Sequence, residues 1–230
     1  MRLVLFDIDG TLLWTDGAGR RAMEFALREV FGTTGPASYR YDGKTDRQIV
    51  RESMRAEGID DATIDARMPD IEALYLERLA IELAASHTRV RAMIGVVELL
   101  DALRAYDHHV PGLLTGNLRA GAAQKLRAAG IEMERFSVGA FGSDHERREE
   151  LPPIAQRRAR ELLGHDLPGD ALVIIGDTPQ DVACGQPLGA RTIAVATGRY
   201  GVDELAACGP AAVFPDLRDT AAVLRAIDDA

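Results

Sequence analysis

The chain has 230 residues, 47% of them hydrophobic, and a formal net charge of −9. That apolar content supports a sizeable core without metal or disulfide staples, and the acidic balance excludes a nucleic-acid backbone or an anionic membrane surface as partner. Met1-Arg2 and the four apolar residues after it are too short for a signal peptide, no apolar run reaches the roughly 18 residues of a membrane span, and Cys184 and Cys208 lack metal-ligand spacing, so a cytoplasmic protein without a disulfide is expected.

Leu3 to Phe6 reads as a buried strand that runs directly into Asp7-Ile8-Asp9-Gly10-Thr11. Two carboxylates at a strand end repel each other and lose water, which raises a pKa or demands a cation; the plainer alternative is a turn with a helix-capping Asp. Residues 15–91 carry three helical patterns and no convincing strand. Met23, Ala26, Leu27, Val30 and Phe31 share one face of the first pattern, and Ile71, Leu74, Tyr75, Leu79 and Leu83 line the last. Gly32 to Gly43 forms the loop between the first two helices.

From about residue 92 short apolar runs alternate with helical patterns, the signature of crossover units on a parallel sheet. Strands are expected at 110–114, 136–140, 172–175, 192–196 and 212–214, with helices near 95–106, 118–129, 151–163, 179–188 and 217–227. The expected fold is therefore α/β: a Rossmann-like parallel sheet formed by 1–14 and 92–230, with an all-helical insertion at 15–91. Pro111 sits uneasily in this scheme, since a strand inside a sheet rarely tolerates a missing N–H.

Asp7, Thr115 and Asp177 each follow a predicted strand. In an open parallel sheet the carboxyl ends of the strands share one crevice, so these distant residues should converge. Their meeting joins acid suited to a metal with Thr115-Gly116-Asn117, a donor-rich turn suited to an oxyanion.

In these residues the chain resembles the haloacid dehalogenase-like hydrolase superfamily, in its phosphoglycolate-phosphatase and phosphomutase branch. Asp7-Ile8-Asp9-Gly10-Thr11-Leu12 matches the first motif, Leu114-Thr115-Gly116-Asn117 the second and Gly176-Asp177-Thr178-Pro179-Gln180-Asp181 the fourth. The resemblance implies a phosphatase acting on a small phosphorylated metabolite, with Asp7 as nucleophile and Asp9 as general acid and base. It implies Mg²⁺ held by the Asp7 carboxylate, the Asp9 backbone carbonyl and Asp177, with Thr115, Gly116 and Asn117 binding the phosphoryl oxygens. Asp9 points to P–O cleavage, because the dehalogenase and phosphonatase branches lack that second acid. A phosphomutase using the same intermediate and a non-catalytic phosphate-ligand binding protein are the alternative readings, and nothing in the sequence indicates an oligomeric state.

The third motif, a lysine, is where the chain departs. Its two lysines are Lys44, in the insertion, and Lys125, expected to point away from the crevice from the helix after Thr115. Arg148 is the expected substitute, just before the helix that starts at Leu151, with Arg147 second. Asp181 could support the metal, orient Thr178 or favour a helix dipole. The insertion resembles the family's helical cap; within it Thr45 or Asp46 could cap a helix, and Lys44 or Arg47 could meet an anionic substrate or be solvated. Trp14 and Tyr200 could line the entrance, and His108 and His109 are expected at the surface.

Overall fold

The computed structural model describes residues 1–229. Strand β1 (Arg2–Phe6) is followed by β2 (Leu13–Trp14) and the helices α1 (Ala18–Phe31), α2 (Asp46–Ala56) and α3 (Asp61–Ala84). Then come β3 (Arg91–Ala92), α4 (Val96–Arg104), β4 (His109–Thr115), α5 (Arg119–Ala128), β5 (Val138–Phe141) and α6 (Leu151–Leu163). The chain ends with β6 (Leu172–Gly176), α7 (Pro179–Cys184), β7 (Arg191–Val195), α8 (Val202–Ala206), β8 (Ala212–Phe214) and α9 (Thr220–Asp229).

Six strands form one parallel sheet in the order β5-β4-β1-β6-β7-β8. Strand side chains alternate between faces, and both faces are covered. Val4 and Phe6 join Leu113, Val173 and Ile175 beneath α4, α5 and α9. Leu3 and Leu5 join Leu114, Ile174 and the α6 residues Leu151, Ala155 and Ala159 on the other side. From β1 the chain builds outward through β4 to β5, then returns to the other side of β1 to lay down β6, β7 and β8, so a crevice opens where β4, β1 and β6 end.

Helices α1 to α3 have a core of their own, built from Met23, Leu27, Met54, Ile64, Ile71 and Leu79 and joined by Leu118 at the start of α5. Two linkers tie them to the sheet, and these linkers pair with each other: β2 and β3 run antiparallel, Leu13 opposite Ala92 and Trp14 opposite Arg91. The sequence shows no sign of that ribbon, because two residues are too few for a periodicity, and α8 escapes notice for the same reason. Among the described residues no helix is long and apolar enough to cross a membrane.

Pro111 falls third in β4, an interior strand between β1 and β5. Its carbonyl accepts from the Ser137 amide, and a strand residue turns its nitrogen to the same side as its carbonyl. There β5 has not begun, since pairing starts with Gly112 opposite Val138. No ladder bond is forfeited. His109, expected at the surface, is instead buried, its Nε2 lying 2.7 Å from Asp228 of α9, while His108 remains exposed. Pro111→Ala should therefore change the unfolding free energy by less than about 1 kcal/mol, whereas Leu113→Ala, on the same strand and fully buried, should cost about 2–5 kcal/mol in urea melts.

Candidate active site

The first motif leaves β1 as a tight turn. The Asp7 amide donates to Ile175 O at 2.9 Å, and the Ile8 carbonyl accepts from Leu12 and Leu13 at 2.9 and 3.0 Å. Gly10 has φ +83°, and a Cβ there would stand 2.4 Å from Asp177 Oδ2, so only glycine lets the two acidic loops touch. Thr11 Oγ1 donates to Asp177 Oδ1 at 3.1 Å. Asp7 and Asp177 are thus side by side at the ends of neighbouring strands, both buried.

Asp181, one turn into α7, completes a cluster in which a carboxylate oxygen from each of Asp7, Asp177 and Asp181 lies within 4.8 Å of the others. Asp181 is fully buried and accepts from the Thr178 amide at 3.0 Å and the Thr178 hydroxyl at 2.6 Å, a reciprocal capping box. It also pairs with Arg148. Of its three expected roles, orienting Thr178 is visible directly.

Arg148 enters from the short 3₁₀ turn Arg148–Glu150. It is buried, with Nη2 3.2 Å from Asp7 Oδ1 and Nη1 donating to Gly43 O at 3.3 Å, while its Nε is buried without a partner. Arg147 points outward to Glu150 and Glu149. A single guanidinium nitrogen, Nη2, thus meets both carboxylates, while Nη1 reaches the Gly43 carbonyl. Burial, with help from Asp181 and Asp9, raises the Asp7 carboxyl to about 6 against the downward pull of the Arg148 charge. Asp177 is held well above the usual carboxylate range by burial, with Asp181 and Asp7 adding to the effect.

Asp9 faces a different set of partners. Its Oδ2 accepts from Asn117 Nδ2 at 2.8 Å and from Lys125 Nζ at 2.6 Å, and Lys125 donates also to Asn117 Oδ1 at 2.6 Å. Asn117 Nδ2 reaches Thr115 Oγ1 at 2.8 Å. Thr115 therefore accepts from Asn117 and keeps its own hydroxyl proton free to donate.

Lys125 is a correction to the sequence reading: it points into the crevice and is buried. It lies seven residues after Leu118, two helical turns, and so shares the face of α5 turned toward α1 and α3. Helix side chains lean toward the N-terminus, which carries a long lysine back to the site. The spacing from Leu118 is the signal that identifies it.

The helical segment presses on the second motif. Asp46 Oδ2 accepts from the Leu118 amide at 2.8 Å, placing a carboxylate at the start of α5, and the Asp46 amide donates to Gly116 O at 2.8 Å. A Cβ on Gly116 would fall 2.1 Å from the Lys44 carbonyl, so that contact requires glycine. Burial lifts Asp46 to about 6 against the pull of Lys125. Thr45 caps α2 through Gln48 N at 3.1 Å. Lys44 is engaged by Glu52 and Arg47 by Glu72, each at 2.6 Å; Lys44 lines the cavity over Asp7, whereas Arg47 does not. The cavity encloses about 520 Å³. Trp14 lines it, but Tyr200 packs against Val182, Ala194 and Leu205, and the nearby Gly198 and Arg199 line the cavity instead.

The profile of the haloacid dehalogenase-like hydrolases matches residues 4–186. The chain belongs to this family. Protein CbbY of Rhodobacter capsulatus is 26% identical over 200 residues, covering 84% of each protein. "Probable phosphatase IndB" of Dickeya dadantii is 25% identical over 236 residues, covering 98% of this chain and 94% of that protein. The crystal structure of CbbY from Rhodobacter sphaeroides in complex with phosphate superposes with a TM-score of 0.70 at 18% identity, over 95% of this chain and 96% of that one.

In this hydrolase the buried Asp7, Asp177 and Asp181 oxygens form a hard, oxygen-only donor set that fits a divalent cation. Asp181 already serves Arg148 and Thr178, and the Asp9 carboxylate lies with Lys125, outside the cluster. A carboxyl whose pKa is higher folded than unfolded costs stability once ionised. For Asp7 that cost is absent below the unfolded value of 3.8, grows as pH rises to about 6 and is constant above. Asp7→Asn should accordingly raise the unfolding free energy at pH 7.5 in EDTA by up to about 3 kcal/mol, and should leave it unchanged at pH 3.5.

Proposed function

We propose that this hydrolase is a Mg²⁺-dependent phosphatase that cleaves a small phosphate monoester through an aspartyl-phosphate on Asp7. The observation that carries the reading is the division of the first motif: Asp7 is buried against Arg148 at the cavity floor, while Asp9, two residues on, lines the same cavity with different partners. A phosphoryl group above Asp7 would meet the free Thr115 hydroxyl and the Gly116 and Asn117 amides. Asp7 attacks phosphorus as the ester P–O bond breaks, and Asp9 delivers a proton to the leaving oxygen. Asp9 then takes a proton from water, whose oxygen attacks phosphorus and releases Asp7 and inorganic phosphate.

Asp7, the Asp9 carbonyl and Asp177 would hold the ion, which when bound offsets the repulsion between carboxylate and phosphate dianion. Arg148 complements charge on the transferring group from the other side. The segment 15–91 is proposed to act as a cap over a core of 1–14 and 92–230. A cavity of about 520 Å³ beneath it suits a phosphorylated metabolite rather than a protein side chain on a large partner. Both cysteines are free, in keeping with a cytoplasmic enzyme.

Phosphate release across a panel of phosphorylated metabolites with Mg²⁺ tests this reading. Asp7→Asn and EDTA should each abolish turnover, Asp9→Asn should lower kcat about 10²–10⁴-fold, and Arg148→Ala about 10²–10³-fold. Wild-type turnover by Asp7→Asn would remove the proposed nucleophile. Isomerised sugar phosphate in place of free phosphate would convert the enzyme to a mutase.

A further inference from the structure

We propose that Lys125 is a positioning residue that aims the Asp9 carboxylate at the leaving oxygen; this rests on the phosphatase reading above. Asp9 sits on a turn, and its side chain is 43% exposed, so by itself it is free to rotate. Lys125 Nζ and Asn117 Nδ2 both donate to Asp9 Oδ2, at 2.6 and 2.8 Å, which pins one oxygen. The Asp9 side chain makes no other hydrogen bond among the described residues, which leaves Oδ1 free to carry the proton. Lys125 in turn is fixed by Asn117 Oδ1 at 2.6 Å, and Asn117 by Thr115. The carboxylate that transfers the proton and the hydroxyl that binds the phosphoryl group therefore share one rigid chain of contacts.

A purely structural lysine is hard to reconcile with this geometry. The Lys125 side chain is only 5% exposed, and burying an ammonium is costly unless it is paired. A Cβ on Gly19 of α1 would stand 3.1 Å from Nζ and 3.9 Å from the Tyr75 hydroxyl, so α1 and α3 roof the ammonium and confine it. The two buried cations of the site thus divide the work, Arg148 on the nucleophile and Lys125 on the acid.

Leaving-group dependence separates positioning from support. Nitrophenolate departs from 4-nitrophenyl phosphate without a proton, whereas an alkoxide does not leave an alkyl phosphate that way. Lys125→Met, similar in length but without N–H donors, should lower kcat/KM for an alkyl phosphate from the active panel by at least about tenfold more than for 4-nitrophenyl phosphate, with the loss in kcat rather than KM. Lys125→Arg should recover part of that ratio. Because both substrates are compared in one preparation, a partly unfolded variant scales both rates alike and leaves the ratio intact. Equal losses on the two substrates, or a change confined to KM, would overturn the role of Lys125. Asp7→Asn, assayed alongside, distinguishes the two failures: if it turns over like wild type the phosphatase reading falls, and if it is dead while the ratio is unmoved only the Lys125 proposal does.

Discussion

Three buried carboxylates gathered round one buried guanidinium are the constraint on which the rest of the structure depends. Asp7, Asp177 and Asp181 come from the ends of neighbouring strands and the first turn of α7, and Arg148 is the cation that pairs with Asp7 and Asp181. Removing acids from water is expensive, and one guanidinium does not balance three of them. Burial, with the neighbouring carboxylates adding to it, raises Asp7 and Asp177 above their ordinary range, and this surplus of buried acid is the physical reason that a divalent cation belongs to the proposed chemistry. Burial of Arg148 is countered by its acidic neighbours, which drive its own pKa upward and keep it charged.

The same parsimony shapes the contact between helices and sheet. Gly116 and Gly10 are points where a side chain cannot fit, one against the Lys44 carbonyl and one against Asp177. Asp46 crosses from α2 to the amide at the start of α5, so the helical segment takes part in holding the turn Thr115-Gly116-Asn117. The paired linkers β2 and β3 make both crossings at one place. The helical core and the sheet are therefore built separately and meet along Lys44 to Asp46 and the start of α5.

Legibility in the sequence followed the physics of each feature. Strands buried on both faces appear as unbroken apolar runs, which makes Leu3 to Phe6 and Leu172 to Ile175 plain in the sequence, and the crevice at the strand ends is why Asp7, Thr115 and Asp177 line one cavity. Arg148 was reached through its place before the helix at Leu151. Lys125 was not, because a lysine on a helix is ordinarily solvated and only its two-turn offset from Leu118 betrays its direction. Asp46 looked like a helix cap, and its reach to another helix is a tertiary fact with no local signature. His109 was likewise hidden, since its burial depends on α9 arriving more than a hundred residues later.

The central claim is that Asp7 carries the phosphoryl group. Rapid quench of the enzyme with 4-nitrophenyl phosphate, whose leaving group needs no proton from Asp9, followed by peptide mass spectrometry, reads it directly in the wild type and in Asp9→Asn, where loss of the base is expected to slow hydrolysis alone. The account requires a hydroxylamine-labile phosphoryl group on the peptide containing Asp7, accumulating in Asp9→Asn and absent from Asp7→Asn. Sustained turnover with no phosphorylated protein at any quench time, or a phosphoryl group on another residue, would contradict it.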